Sequence, residues 1–173
     1  ILVGQYQGAR DPATAERAGF TALKLSCAYM GAVALSFLLF PRAYFSLFTG
    51  DAPGMVPLDA VLGKGRWLLT MLALWGLLDA VNLVIGGALK GAGDTRFVLV
   101  YSVLTSWLVW MPGELLLLLW LDSGLLAAWL WLALYVLLLA TGFWLRFRRG
   151  KWKAIDMIAG RAPVAPPAAE AAP

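Results

Sequence analysis

Long apolar stretches broken by short polar ones set the plan of this chain. They run over about 20–40, 66–89, 97–120 and 125–145. Each has the roughly 20 residues that a helix rising 1.5 Å per residue needs to cross a hydrocarbon core of about 30 Å. The pattern predicts an all-α integral membrane protein with four transmembrane helices. Ile1-Leu2-Val3 reads as the end of a preceding span, as in a piece lacking its N-terminal part.

The breaks carry their own signals. Gly8 suits a helix C-cap, and Asp11 followed by Pro12 reads as an N-cap with proline at N1, opening a helix that runs on into the first span. Pro41 and Arg42 end that span. Residues 43–49 are short and aromatic-rich, which predicts a helix lying on the membrane surface. Residues 50–65, with Pro53 and Pro57, read as a loop. The Gly91-Ala-Gly-Asp-Thr-Arg96 stretch leaves room only for a tight reversal, as does Asp122-Ser-Gly124. Pro112 and Gly113 should loosen the third span, which is tolerated when neighbours satisfy the freed backbone groups. Residues 146–153 form a basic stop, so residues 1–155 make one unit. Residues 156–173 form a tail, Ala/Pro-rich from 160 onward and expected to be disordered.

Composition adds exclusions. Of 173 residues, 61% are hydrophobic and 14% charged, against about 45–50% and 25% in soluble domains. The net charge of +4 comes from helix ends rather than one basic face, which points to anionic lipid head groups and away from nucleic acid. There is no His and one Cys, so no zinc set and no nucleophile–base pair is available, and the glycines lack the Lys-Ser/Thr ending of a phosphate loop. The reading is therefore a non-enzyme without metal or cofactor. Cys27, in apolar surroundings, is expected to be a buried thiol. Eleven of the fourteen Lys and Arg residues fall on one set of alternate connections. The positive-inside rule puts that set, including the C-terminus, in the cytoplasm and residues 50–65 outside.

The chemistry lies in the second span. Between Trp67 and Leu89 the one charge is Asp79, near the middle. An ionisable group at that depth costs about 2.5–3.5 kcal/mol on insertion scales, so it should face protein or water. Met71, Trp75, Asp79, Asn82 and Gly86 share one helical stripe. Asp79, with Asn82, is the candidate cation or proton site, and Met71 and Trp75 are candidates to line a cavity. The plainer alternative is a structural acid bonded to a neighbouring helix. In the third span Trp107, Trp110, Met111 and Glu114 share a face that could hold a cationic ligand by cation–π attraction. Alternatively, Glu114 sits near the outer interface and reaches water.

Two segments carry a resemblance. Val3-Gly-Gln-Tyr-Gln-Gly-Ala-Arg-Asp11, and Asp79-Ala-Val-Asn82 followed by Gly87-Ala-Leu-Lys-Gly-Ala-Gly-Asp-Thr-Arg96, are similar to the multidrug and toxic compound extrusion (MATE) transporters. The basic ending at 146–153 also resembles the close of bacterial members. The resemblance implies the last third of a twelve-helix, two-lobed antiporter in a bacterial cytoplasmic membrane. It would hold the tail of helix eight and helices nine to twelve, with the N-terminal lobe as partner. Such proteins export drugs or organic cations in exchange for protons or sodium. Asp79 matches an acidic position in helix ten implicated in cation coupling. Members that use this acid can carry Tyr one turn earlier, where this chain has Trp75. An indole has no oxygen to ligate sodium, which counts against sodium and leaves proton coupling open. Two other readings stand beside it. A lipid-linked precursor flippase of the wider superfamily would favour deep Lys or Arg, which the spans lack. The other is a membrane subunit that does not transport.

Overall fold

The computed structural model describes residues 1–49, 57–121 and 124–156. The first turn of the chain, α1 (Leu2–Gly8), leads into α2 (Pro12–Leu39), a short α3 (Pro41–Ser46) and the long α4 (Leu58–Gly91). Next come α5 (Thr95–Thr105), α6 (Met111–Leu115) and α7 (Gly124–Arg148). A π-helical segment, Ser106–Trp110, joins α5 to α6, and a second, Leu116–Trp120, follows α6. Together they form one rod from Thr95 to Trp120. Four helices are thus long and apolar enough to cross a membrane: Pro12–Leu39, Val61–Gly91, Thr95–Trp120 and Gly124–Arg148.

Most breaks follow local chemistry. Asp11 Oδ1 accepts from the Thr14 backbone N–H at 3.0 Å and Pro12 opens α2, so one of the four orphan donors at the helix start is satisfied. Bonds from the Thr14 side chain and backbone hold the Asp11 carboxyl below the usual carboxylate range. The reversal after α4 is a Schellman turn: Asp94 N–H reaches Leu89 O at 2.9 Å and Gly93 N–H reaches Lys90 O at 3.1 Å. Gly93 takes φ +88° there, a region open to glycine at no steric cost.

Four expectations need correction. Gly8 does not cap α1, because the helix runs through it. The same 6→1 and 5→2 bonding, Asp11 N–H to Tyr6 O and Arg10 N–H to Gln7 O, puts the left-handed residue at Arg10, φ +59°. The surface helix expected at 43–49 is instead Pro41–Ser46, started by the same proline that stops α2. It is tied back to α2 by Ser36 Oγ and Tyr44 Oη at 2.7 Å and by the Phe37–Tyr44 edge contact at 4.9 Å. The loop expected over 50–65 is helical from Leu58, with Asp59 in the first turn, where the helix dipole favours an acid; residues 50–56 lie outside the described residues. Cys27 is partly exposed, not buried. The disordered tail expected at 160–173 and most of the second reversal, residues 122–123, also fall outside the described residues.

α4 is the hub, touching α1, α2, α3, α5 and α7. α7 runs parallel to it and α5 antiparallel to α7, as the paired contacts from Asp94–Arg146 to Tyr101–Leu138 and Ser106–Tyr135 require. The buried core gathers at the predicted cytoplasmic end: Val3, Ala15, Ile85, Leu89, Phe143, Phe147 and Trp152. Gly4 lies so close to α4 that a Cβ there would stand 2.7 Å from the Gly91 carbonyl oxygen. The Gln7 side-chain amide donates towards the carbonyls of Trp152, Lys153 and Ile155 at 3.4, 3.2 and 3.0 Å. Trp152 stacks on Phe147 at 5.0 Å and donates its indole N–H to Phe147 O at 2.8 Å. The basic stop is therefore a folded cap, a 3-10 turn over Lys151–Ala154, clamped by the first helix.

Two outcomes check this cap. Gln7→Leu, which strands these carbonyls, should cost about 1–3 kcal/mol of stability by thermal unfolding in detergent, while Gln5→Leu on the exposed face should leave it unchanged. Because the folded Asp11 pKa is lowered, its stabilisation is complete above the unfolded pKa and is lost as pH falls through the folded one. The melting-temperature gap between wild type and Asp11→Ala should therefore close towards acid pH.

Candidate functional site

Polar groups within the apolar rods fall into three environments. The first is at the end of the bundle predicted to be cytoplasmic, where Asp94, in the Gly-rich turn, is 6% exposed. It is gripped by Arg146, with Nε to Oδ2 at 2.7 Å and Nη2 to Oδ1 at 3.2 Å. The guanidinium also lies 4.7 Å from the Phe97 ring centroid. A two-pronged guanidinium–carboxylate pair fixes orientation as well as charge, so this pair locks the α4–α5 turn to the end of α7.

The second environment is Asp79, half-buried at mid-span. None of the described ion pairs includes it. Asn82, one turn on, donates its amide N–H to Asp79 Oδ1 at 3.3 Å. Asn82 Oδ1 and Trp75 Nε1, on the same stripe, are buried without hydrogen-bond partners. The stripe thus presents an acid beside one open acceptor and one open donor. Met71 on the same stripe is half-buried.

The third is in the opposite half of the bundle, predicted to be the outer one. Trp110 and Glu114, from the third span, line a cavity of about 190 Å³ with Leu125, Ala128, Trp129 and Leu132 of α7. The Trp110 carbonyl, two residues before Pro112, accepts the Trp131 indole N–H at 3.1 Å. A Cβ on Gly113 would run into the Trp131 ring, so glycine is what lets that indole reach the backbone. The expected loosening at Pro112-Gly113 takes the form of the two π-helical segments flanking α6, and these widen the turn without breaking the rod. Trp110 Nε1 and Glu114 Oε2 are buried without hydrogen-bond partners among the described residues.

The structure therefore brings Asp79 together with Asn82, and Trp110 with Glu114. Asp79 is not among the residues lining the Glu114 cavity. Trp107 (63% exposed) and Met111 (40% exposed) turn outward from it. Sequence reasoning missed Trp129 as a cavity wall and Gln7, Asp94 and Arg146 as locks. Each depends on a contact between distant segments, and only the unusual Pro-Gly-Glu run hinted at any of them.

Four apolar rods with a few uncompensated polar groups between them define a multi-pass helical membrane protein. The chain matches the MatE family profile over residues 1–116, and it belongs to that family. It is 31% identical over 149 residues to the probable multidrug resistance protein NorM of Rhodopseudomonas palustris, covering 86% of this chain and 31% of that one. It is 33% identical over 113 residues to the multidrug resistance protein NorM of Burkholderia vietnamiensis, covering 65% of this chain and 24% of that one. To the probable multidrug resistance protein NorM of Deinococcus radiodurans it is 36% identical over 110 residues, covering 63% and 24%. The chain thus spans about a third or less of the length of these relatives. No solved structure matches it significantly.

Gly113→Ala checks the outer-half geometry. The added methyl should displace the Trp131 indole and cost about 1–3 kcal/mol, read as a lower unfolding temperature together with a shifted tryptophan emission; unchanged values for both would contradict the close approach.

Proposed function

We propose that this chain is the C-terminal part of a two-lobed, secondary-active drug antiporter in a bacterial cytoplasmic membrane, its C-terminus in the cytoplasm, and that Asp79 carries the coupling proton. The relatives' names as multidrug resistance proteins support the export of drugs. The observation that carries the coupling step is a half-buried mid-span carboxylate without an ion-pair partner among the described residues. An ionisable group at that depth is costly and is tolerated for what it does.

Asn82 fits both states. Its amide N–H donates to the carboxylate. Turned over, its carbonyl oxygen accepts from the protonated acid, and the two orientations differ little in shape. The stripe therefore need not move far to exchange a proton. Rocking of this lobe against an N-terminal one would expose Asp79 to each side in turn, and release of the proton inside would make room for the next cationic drug. Trp75 beside Asp79 supplies an N–H and no oxygen, which favours a proton over sodium. The Asp94–Arg146 lock and the Gln7 cap keep the cytoplasmic end rigid while the rods tilt.

Export of a fluorescent cationic dye by cells expressing the transporter tests this. A pH gradient without sodium should drive export by wild type, and Asp79→Asn should reduce it to the level of cells lacking the protein while membrane abundance stays the same. Asn82→Leu should slow export without abolishing it. Equal export by wild type and Asp79→Asn across pH gradients would overturn the reading, and export that follows sodium instead would replace the proton.

A further inference from the structure

We infer a second cation site, separate from Asp79, in the outer half of the membrane between α6 and α7: a receptor for the head group of a methylated ammonium ion, made by Glu114 with Trp110 and Trp129. Three observations converge on it. Glu114 Oε2 is buried and has no hydrogen-bond partner among the described residues, and a carboxylate oxygen so placed is costly unless a cation or proton meets it. The cavity it lines has indoles on both helices, Trp110 and Trp129, with Leu125, Ala128 and Leu132 completing the wall. Aromatic faces beside an acid attract alkylated ammonium, which has no N–H to lose from water. The backbone is also built around this point: π-helical segments on either side of α6, Pro112 and Gly113 immediately before the acid, and the Trp131 indole holding the Trp110 carbonyl. Such π-helical insertions gather at functional sites.

Size decides what enters. At about 190 Å³ the cavity is smaller than the roughly 300–1,000 Å³ that takes a whole drug-sized molecule. It has room for a trimethylammonium group, with the remainder of a larger molecule lying outside. The site gives the antiporter reading a place for a cationic substrate on the outward side of Asp79. It rests on that reading for its purpose but not for its measurement, because occupancy is read without transport.

The test is equilibrium dialysis of radiolabelled tetramethylammonium against the purified protein in lipid nanodiscs. Wild type should bind it, and Asp79→Asn should still bind it. Glu114→Gln should weaken binding roughly tenfold or more, a loss on the order of 1.4 kcal/mol. Ala128→Phe, which fills the cavity and leaves the acid in place, should weaken it as well and stands in if Glu114→Gln does not fold. Wild-type binding by both cavity variants, or no binding by wild type, overturns the site. Binding lost in Asp79→Asn and kept in Glu114→Gln overturns it too, by moving the cation to mid-span. Failure of the dialysis leaves proton-driven export by Asp79 standing, and normal export by Asp79→Asn with binding lost in Glu114→Gln leaves this site standing.

Discussion

Hydrocarbon offers no water to an unpaired polar group, and this constraint orders the whole chain. Each backbone bond inside the spans must be closed by a helix, so every described span is one. Each polar side chain must be paired, kept at an end, or tolerated for what it does. The chain uses all three solutions at successive depths. Asp94 is locked by a guanidinium. Among the described residues Asp79 has an amide and no ion pair, and Glu114 keeps one oxygen buried with nothing to bond.

The first of these makes the other two possible. The end formed by α1, the α4–α5 turn and the close of α7 holds the buried core, the Gly4–Gly91 approach, the Gln7 cap and the Asp94–Arg146 fork. Towards the other end fewer of the described residues are buried, and cavities open along the whole length, including beside Val3 and Gly87 and beside Asp94 and Arg146. Another lies between α2, α4 and α7, lined by Leu23, Leu78, Val81 and Trp144, and one more beside Glu114. A bundle pinned at one end and looser at the other can tilt its rods without losing its register. The stretches that resemble the MATE family divide in the same way: Val3 to Gln7 and Gly87 to Arg96 build the pinned end, and Asp79 with Asn82 sits above it.

Local chemistry made much of this legible in the sequence. Asp11-Pro12 announced the start of α2, the Gly-Ala-Gly-Asp run announced the Schellman turn, and the apolar lengths announced four spans. The sequence misled where tertiary contact overrode local preference. Residues 58–65 contain two glycines and follow a proline, yet they are helical, and the Phe45 ring of α3 lies where a Cβ of Gly65 would stand. The run 146–153 reads as no more than a basic stop, yet its Trp152 is fully buried, stacked on Phe147 and held by Gln7. In the third span the shared face of Trp107, Trp110, Met111 and Glu114 assumed 3.6 residues per turn. The π-helical segment over Ser106–Trp110 changes that count between Trp107 and Glu114, while Met111 is exposed and Trp129 of α7 joins the cavity wall. The Asp79–Asn82 pair was legible because it is local, three residues apart on one helix.

The central claim is that Asp79 gives up a proton when a cationic substrate binds. Calorimetric titration of the transporter with a cationic drug, repeated in buffers of different ionisation enthalpy, counts the protons released. The account predicts close to one proton per drug bound for wild type and none for Asp79→Asn. A heat of binding that does not depend on the buffer, or the same release from both proteins, would contradict it.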